Sequence, residues 1–474
     1  MKYHVWTIGC QMNTADSQRM ASELERLGYR WTERAEDADV VVLNTCVVRQ
    51  QAEDKIYGRL GSLKTVKSAR PDMVIGLMGC VVGQKPAPAL VKRFPHVDVF
   101  IPPSETRPLT DLLSARALDA AARSTEASQL AARWSVQDGD GDGDSADPSA
   151  PAFGEGALPL PQREHRTLVS AHVPIIFGCN WVCTFCIIPS RRGRERSRPP
   201  EEIEAHVRSL VAQGVREVTL LGQIVDRYGY DWGATDGLPR LLERLDAIDG
   251  LERIRFLTGH PAFMTDDLLD TVAALPKVME HIEVPIQAGD DLVLTRMKRG
   301  YTADDYRRLV ERIRARIPGV AIHTDIIVGF PGETAAQFQA TYDILAELKL
   351  DKAHIAKFSS RPGTVAAKMM LDDVSEEEKE RRRAALDGLQ EVVVGTINGA
   401  HVGRMVEVLI EGRDRDRWRG RTRTNKLVYV ADPRPLLGRV VAVRIEWAGP
   451  WSMIGQAADA QVRPARELIE LATA

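Results

Sequence analysis

Residues Val173–Pro189 read VPIIFGCNWVCTFCIIP and join a short apolar run to three closely spaced cysteines. The run Val173–Phe177 has the length and composition of a buried strand, and it ends at Gly178. The cysteines follow in the spacing C-x3-C-x2-C, at Cys179, Cys183 and Cys186. Thiols this close along one segment are better placed to bind one metal centre than to pair as disulfides. Structural zinc and a cubic iron–sulfur cluster each normally take four protein ligands, so three cysteines predict a cluster with one open iron. A zinc knuckle and simply buried thiols are the alternatives.

The composition of the 474 residues is that of a globular chain, with 44% hydrophobic and 27% charged residues. A chain of this length corresponds to about three domains. We expect a cytoplasmic protein with no membrane segment, because there is neither a signal-like start nor a sufficiently long apolar run. All six cysteines lie in motif-like stretches, which fits a reducing compartment. The net charge of −3 does not by itself indicate a nucleic-acid partner.

Residues 1–103 have the pattern of a doubly wound α/β domain, in which short apolar runs alternate with helical segments. The apolar runs are His4–Ile8, Val40–Leu43 and Met73–Met78. One cysteine follows each run, namely Cys10, Cys46 and Cys80. Because the carboxyl ends of parallel strands meet at one edge of a sheet, these three cysteines are candidates for a shared site. The alternative is that each is an ordinary buried cysteine.

Residues 166–395 repeat a strand and then a helix, starting with the apolar run before the first cysteine motif. The later strands are predicted at Glu217–Gln223, Arg253–Leu257, His281–Gln287, Ile322–Phe330 and Lys352–Ser359. Six strands predict an incomplete parallel barrel of the (β/α)6 kind. An open side would admit a macromolecular substrate, and functional residues are expected at the carboxyl ends of the strands.

Residues 396–462 contain short strands typical of a small all-β domain with an OB-like barrel. Six arginines alternate there, at Arg413, Arg415, Arg417, Arg419, Arg421 and Arg423. If this segment is one extended strand, the six side chains share a face, which would suit RNA phosphates. Asp414 and Asp416 offset part of this charge, and a solvated charged hairpin is the alternative.

The remaining two parts of the chain carry no candidate site. Residues 104–165 combine an Ala-rich helical pattern at 113–132 with alternating Asp and Gly, which predicts a flexible acidic linker or insertion. A calcium loop there is rejected, because the twelfth position is Ser149 and not the required glutamate. Residues 463–474 form a C-terminal tail.

The cysteine motif, with the aromatic Phe185 before its last cysteine, resembles the radical S-adenosylmethionine (SAM) superfamily, in which the open iron binds SAM. Three further segments resemble the N-terminal domain of the methylthiotransferases, which carry a second cluster: Gly9–Asn13 (GCQMN), Asn44–Arg49 (NTCVVR) and Gly79-Cys80. The arginine-rich end of the chain resembles the TRAM domain, a small RNA-binding barrel. Together these resemblances identify the chain as a member of the methylthiotransferase family, in its tRNA branch.

Membership in that branch implies an enzyme that adds a methylthio group to C2 of N6-isopentenyladenosine beside the tRNA anticodon. It also implies two 4Fe-4S clusters, one on Cys179, Cys183 and Cys186 and the other on Cys10, Cys46 and Cys80. Two molecules of SAM would be consumed per turnover, one of them cleaved to a 5′-deoxyadenosyl radical. The expected partners are the tRNA anticodon stem-loop and an external electron donor such as flavodoxin or ferredoxin, and we expect a monomer.

Two other functions stay open at this stage. One is methylthio transfer to threonylcarbamoyladenosine in tRNA or to a ribosomal protein aspartate, and the other is an RNA-binding iron–sulfur protein without radical activity. For SAM binding, the resemblance points to Gln223, Gln287 and Phe185. Each glutamine has a structural alternative, a cap at Gln223 and a polar core residue at Gln287. The family pattern is broken just after both, at Ile224–Arg227 and at Ala288.

Overall fold

The computed structural model describes residues 1–47, 50–122 and 160–462. Val48, Arg49, most of the predicted linker and the tail at 463–474 lie outside these ranges, as does the second half of the predicted Ala-rich helix. The chain divides into two compact units, Met1–Pro161 and Gln162–Ala474. Within the described ranges, every helix is too short or too polar to pass through a bilayer.

The first unit is built on a five-stranded parallel sheet in the order β2-β1-β3-β4-β5. Its strands are β1 (Lys2–Ile8), β2 (Arg30–Trp31), β3 (Val40–Thr45), β4 (Val74–Gly79) and β5 (Val99–Ile101). Its helices are α1 (Gln11–Arg26), α2 (Gln50–Ala69), α3 (Pro88–Arg93) and α4 (Arg107–Ala122). Alternate residues of β3 enter two separate apolar cores, with Val41 and Leu43 in one and Val40 and Val42 in the other. Since α2 covers the first core and α1 and α4 cover the second, the predicted doubly wound α/β fold is confirmed.

The second unit begins with six parallel strands in two three-stranded sheets, ordered β10-β9-β6 and β11-β12-β13. These are β6 (Ser170–Pro174), β9 (Glu217–Leu221), β10 (Arg253–Phe256), β11 (His281–Glu283), β12 (Ala321–Val328) and β13 (Lys352–Lys357). A small antiparallel pair, β7 (Ile176–Phe177) with β8 (Arg196–Ser197), brackets the cysteine segment. The strand order confirms the predicted six-stranded partial barrel.

Helices alternate with these strands, as the sequence pattern predicts. They are α5 (Ile188–Arg192), α6 (Pro200–Ala212), α7 (Gly237–Asp246), α8 (Asp266–Ala274), α9 (Asp291–Met297), α10 (Ala303–Arg316), α11 (Ala335–Leu348), α12 (Val365–Met369) and α13 (Glu376–Gly399). Several begin at a side-chain cap, and at α10 the cap is reciprocal between Thr302 and Asp305. The caps fix where each helix starts after its strand.

The chain ends in a closed five-stranded barrel in the order β14-β15-β16-β18-β17. Its strands are β14 (Met405–Asp414), β15 (Arg417–Thr422), β16 (Leu427–Val430), β17 (Val440–Ala448) and β18 (Met453–Val462). The prediction that six alternating arginines share one strand face is wrong. Arg415, with φ +54°, lies in the turn between β14 and β15, so the row is folded into a hairpin. Only Arg417, Arg419 and Arg421 share the face of one strand.

Two arginines of β10 join the small barrel to the larger one through main-chain carbonyls. Arg253 Nη1 donates to the carbonyl of Arg421 at 2.7 Å. Arg255 donates to the carbonyls of Thr422 and Arg423, each at 2.7 Å. Arg255 is also paired with Glu217 at 3.1 Å, and both side chains are only 3% exposed. The second sheet adds an ion pair of its own, since Arg423 lies 2.7 Å from Glu280.

Arg255→Met is expected to lower the stability of the second unit by about 3–5 kcal/mol, because it leaves the Glu217 carboxylate buried without its partner. It also leaves two carbonyls of the docked hairpin without donors. The midpoint of urea unfolding, followed by tryptophan fluorescence, measures the loss. Arg308→Met is the matched control, since its pair with Asp305 is exposed and worth about 0–1 kcal/mol. Equal midpoints for the two variants would contradict the prediction.

Candidate functional site

The first cysteine trio lies in the segment between β7 and α5, and two contacts shape that segment. Gly178 has φ +68°, a conformation that glycine adopts without strain, and it turns the chain directly before Cys179. The main-chain N–H of Cys179 then donates to the carbonyl of Gly193 at 3.1 Å. The segment is therefore closed against the residues that lead into β8.

N–H groups donate to sulfurs of this trio. The main-chain N–H of Trp181 lies 3.4 Å from Sγ of Cys179, and Nη1 of Arg299 lies 3.1 Å from Sγ of Cys183. Burial raises the pKa of Cys179 to about 11 and that of Cys186 to about 12. Thiols in this setting lose their protons only to a strongly cationic ligand such as iron, and N–H donors then stabilise the anionic sulfur.

The donor set of this trio fits an iron–sulfur cluster better than a zinc ion. The three thiols lie near one another, since Cys183 and Cys179 both act on the pKa of Cys186. A structural zinc ion takes four protein ligands, whereas a 4Fe-4S cluster held by three thiolates keeps one iron open. Three buried thiols supplied with N–H donors therefore fit a 4Fe-4S cluster better than a zinc knuckle.

The three residues predicted to contact SAM lie in different settings. Phe185 packs its ring edgewise on Phe330, with centroids 6.5 Å apart. Gln223 is half-buried two residues past the end of β9. Gln287 is 8% exposed, has φ +72°, and exchanges main-chain hydrogen bonds with β12. That backbone pairing favours a structural role for Gln287, while its role and those of Phe185 and Gln223 in SAM binding stay predictions.

Sequence reasoning missed Arg299, which contacts the cysteine loop from a position 116 residues away. Its side chain is 6% exposed and also donates from Nε to the hydroxyl of Tyr301 at 2.9 Å. The segment Met297–Tyr301 resembles a motif of the family, but the sequence predicts no role for it beyond lining the cavity. The charge on Arg299 offsets the negative charge that a thiolate-bound cluster would carry.

A second group that sequence reasoning missed stands where the family pattern is broken, at Ile224–Arg227. Burial raises the pKa of Asp226 to about 7, and its Oδ2 accepts from the main-chain N–H of His260 at 2.8 Å. Burial together with Arg299 and Arg227 lowers the pKa of His260 to about 3. The ring of His260 lies 4.7 Å from that of Trp181, on the cysteine loop. The departure from the family pattern was the available signal for this buried acid.

The second trio lies at one edge of the first unit's sheet, as predicted. Cys10 lies between β1 and α1, Cys46 follows β3 and Cys80 follows β4, and the strands β1, β3 and β4 are neighbours. Two asparagines join the cysteine-bearing loops: Asn13 Nδ2 donates to Asn44 Oδ1 at 2.8 Å, and Asn44 Nδ2 donates to the Asn13 carbonyl at 2.8 Å. The thiol of Cys10 donates to Asn13 Oδ1 at 3.3 Å.

The third loop is held against the same pair of asparagines. Gly79, directly before Cys80, has φ +99°, and a Cβ there would lie 2.4 Å from Asn44 Oδ1 and 3.0 Å from Asn13 Nδ2. All three loops therefore meet at Asn13 and Asn44. This convergence supports a shared site for the second trio.

Known protein families match three parts of the chain. Residues 2–102 match Uncharacterized protein family UPF0004, residues 173–345 match the Radical SAM superfamily and residues 399–458 match the TRAM domain. The chain is 45% identical to the tRNA-2-methylthio-N(6)-dimethylallyladenosine synthase of Roseiflexus sp. (strain RS-1), covering 96% of this chain and 89% of that protein. It belongs to the tRNA-2-methylthio-N(6)-dimethylallyladenosine synthase family. A synthase of this family from Moorella thermoacetica is 41% identical, over 96% of this chain and 98% of the relative.

Among solved structures, the synthase fold resembles a radical S-adenosylmethionine methyltransferase from Kitasatospora setae that has cobalamin and a 4Fe-4S cluster bound. The TM-score is 0.55 at 17% identity, with 77% of this chain and 74% of that chain covered. At this identity the likeness concerns the fold alone. It agrees with the partial barrel described above.

Proposed function

We propose that this protein is a radical SAM methylthiotransferase that converts N6-isopentenyladenosine beside the tRNA anticodon to its 2-methylthio derivative. The observation that carries the proposal is the cysteine segment 179–186, supplied with N–H donors, in a chain whose relatives over nearly full length are named for this reaction. The C–H bond at C2 of adenine is beyond the reach of any side-chain base, so a cofactor must carry this step.

When bound, the cluster and SAM supply a 5′-deoxyadenosyl radical that can remove the C2 hydrogen. The protein's own residues bind and position these groups. Cys179, Cys183 and Cys186 would hold the cluster, and Arg299 with the N–H of Trp181 would stabilise its sulfur ligands. Asp226 fixes the loop that carries His260 through the hydrogen bond to its main-chain N–H. Phe185, Gln223 and Gln287 are proposed to line the SAM site.

We further propose that Cys10, Cys46 and Cys80 hold a second 4Fe-4S cluster that supplies the sulfur. The support is the convergence of their loops at Asn13 and Asn44. Two molecules of SAM per turnover then follow from the chemistry, because one is cleaved and one donates the methyl group. An external electron donor such as flavodoxin or ferredoxin, action as a monomer and a cytoplasmic location complete the proposal.

We propose one role for each domain, in the order of the chain. Residues 1–103 carry the second cluster, residues 166–395 form the radical barrel and residues 396–462 form the TRAM domain that binds tRNA. Residues 104–165 connect the first two, and 463–474 form a tail. Support comes from the ranges of the three family matches, 2–102, 173–345 and 399–458.

Mass spectrometry of tRNA nucleosides from a deletion strain tests the main proposal. The 2-methylthio derivative should disappear and N6-isopentenyladenosine should accumulate, and expression of the protein should restore the product. If the strain instead lacked the methylthio derivative of threonylcarbamoyladenosine, or the modification of a ribosomal protein, that molecule would be the substrate. Absence of 5′-deoxyadenosine after anaerobic reconstitution and reduction with SAM would leave only the non-radical RNA-binding function.

The tRNA contact is proposed for the exposed part of the arginine hairpin. Arg421 lies 3.5 Å from Glu411 and donates to the Asn425 carbonyl, whereas Arg415 and Arg419 are exposed. We expect Arg415→Gln with Arg419→Gln to weaken tRNA binding and to lower the slope of log K against log salt by about 0.7–0.9 for each phosphate that the variant no longer neutralises. Filter binding between low and moderate salt measures both quantities. Arg308→Gln, an exposed arginine of α10, is the control, and an unchanged slope in the double variant would remove the hairpin from the RNA site.

A further inference from the structure

Three side chains on adjacent barrel strands bring potential metal ligands together, and none of them is a cysteine. Glu283 lies on β11, His323 on β12 and His354 on β13, and one ligand atom from each falls within 4.8 Å of the other two. Glu283 and His323 are direct partners in the strand register. His354 pairs with Asp325, two residues further along β12. The cluster is thus built on three rigid neighbouring strands.

The three side chains share the polar face of this sheet. Residues that alternate with them, Ile282, Ile322 and Ile326, are completely buried on the other face. The three side chains differ in their exposure to solvent: His323 is 8% exposed, Glu283 is half-buried and His354 is exposed. A small ion can therefore reach the group from the side of His354.

A contact with His281 orients the ring of His323. Nδ1 of His323 lies 3.0 Å from Nε2 of His281. In the tautomer that carries the proton on Nδ1 of His323, Nε2 of the same ring has a lone pair for a metal ion. Metal-binding histidines are oriented by a second-nitrogen contact of this kind.

Two of the cations that act on His323 are already matched by carboxylates of their own. Lys426 lies 2.7 Å from Asp351, and Arg255 lies 3.1 Å from Glu217. Their charges are therefore largely neutralised before any ion binds.

The other polar groups at the site lie on the same strands. Lys352 is the register partner of His323, and Asp325 is the register partner of His354. The site therefore offers two carboxyl groups, on Glu283 and Asp325, beside two imidazoles and one ammonium group.

We propose that Glu283, His323 and His354 bind one divalent first-row transition-metal ion of the zinc or ferrous class, separate from the iron–sulfur clusters. Two imidazoles and one carboxylate are ligands that such ions prefer. Three protein ligands leave at least one coordination position for water or for a polar atom of a bound substrate.

Zinc counting on the reconstituted protein tests the site. Protein carrying its iron–sulfur clusters is treated with a chelator, desalted anaerobically and titrated with Zn²⁺, and bound zinc is measured by mass spectrometry after gel filtration. The unaltered protein should retain one zinc per chain more than His354→Ala or Glu283→Gln, and the affinity of either variant should be at least about tenfold lower. His165→Ala, which removes an exposed histidine elsewhere in the same unit, should bind zinc as the unaltered protein does.

Equal zinc content in the unaltered protein and in both variants would overturn the proposal. His354 is exposed, so its substitution should leave the fold intact, and an unchanged cluster absorbance and iron content verifies this. No tRNA or SAM is present in the titration. Failure of the metal site therefore leaves the proposed methylthio transfer untouched, and failure of that reaction leaves the zinc count unaffected.

Discussion

Cys46→Ser is expected to abolish methylthio transfer to tRNA while the protein still cleaves SAM to 5′-deoxyadenosine. The serine hydroxyl is a poor ligand for iron, so the second cluster should be lost together with about half of the bound iron. The substitution changes one atom at a buried position, and the fold of the first unit should survive it. Activity should fall below detection, which corresponds to at least about a thousandfold, or about 4 kcal/mol in the barrier.

The converse substitution, Cys186→Ser, serves as the matched control. It should also remove about half of the iron, but it should eliminate SAM cleavage as well as product formation. Mössbauer spectra of the two anaerobically reconstituted variants should each show one remaining 4Fe-4S cluster. If Cys46→Ser retained the iron content of the unaltered protein, the second cluster would be excluded and the chain would be a one-cluster enzyme.

Gly178→Ala is expected to destroy the radical site without altering any ligand. A Cβ at this position would lie 2.0 Å from the Arg194 carbonyl oxygen and 2.6 Å from that of Gly193, distances that only a shift of the backbone can relieve. The residue also has φ +68°, which alanine adopts at a cost of about 1 kcal/mol. Because Cys179 follows directly, the shift moves the first ligand of the trio. SAM cleavage should become undetectable, and iron content should fall by about half.

Gly61→Ala provides the comparison for this variant. Gly61 lies inside α2, and a Cβ there would meet nothing within 4 Å. Alanine in a helix interior is more favourable than glycine by about 1 kcal/mol, so this protein should be slightly more stable and fully active. Cluster absorbance, iron content and SAM cleavage measured side by side separate the two. Normal SAM cleavage by Gly178→Ala would contradict this prediction, because it would show that the cysteine segment tolerates a different backbone path.

Most strands can be located from the sequence, although their bounds shift. The predicted segments overlap all six barrel strands and β1, β3 and β4, but the run Val173–Phe177 covers only the last two residues of β6 and continues into β7. Strands β2 and β5 have two and three residues, too few to show any periodicity. The arginine row is wrongly predicted to share one face because alternation looks the same whether or not a turn interrupts it, and the turn at Arg415 has no glycine to mark it.

In the candidate site, residues that are close in sequence can be predicted, and residues that are far apart in sequence cannot. The first trio follows from spacing, because its members lie within eight residues of one another. Arg299 and His260 reach the cysteine loop from turns far along the chain, and only the fold brings them there. For the second trio, the strand ends indicate a shared edge, but the asparagine pair that joins the loops is visible only in three dimensions.

Arg253 and Arg255 bind the arginine hairpin of the small barrel through main-chain carbonyl oxygens, which every residue type offers. These hydrogen bonds do not depend on which side chains stand at 415 and 419, the exposed positions of the same hairpin. Substitutions at those two positions can therefore change the charge of the exposed surface while the two barrels keep their alignment.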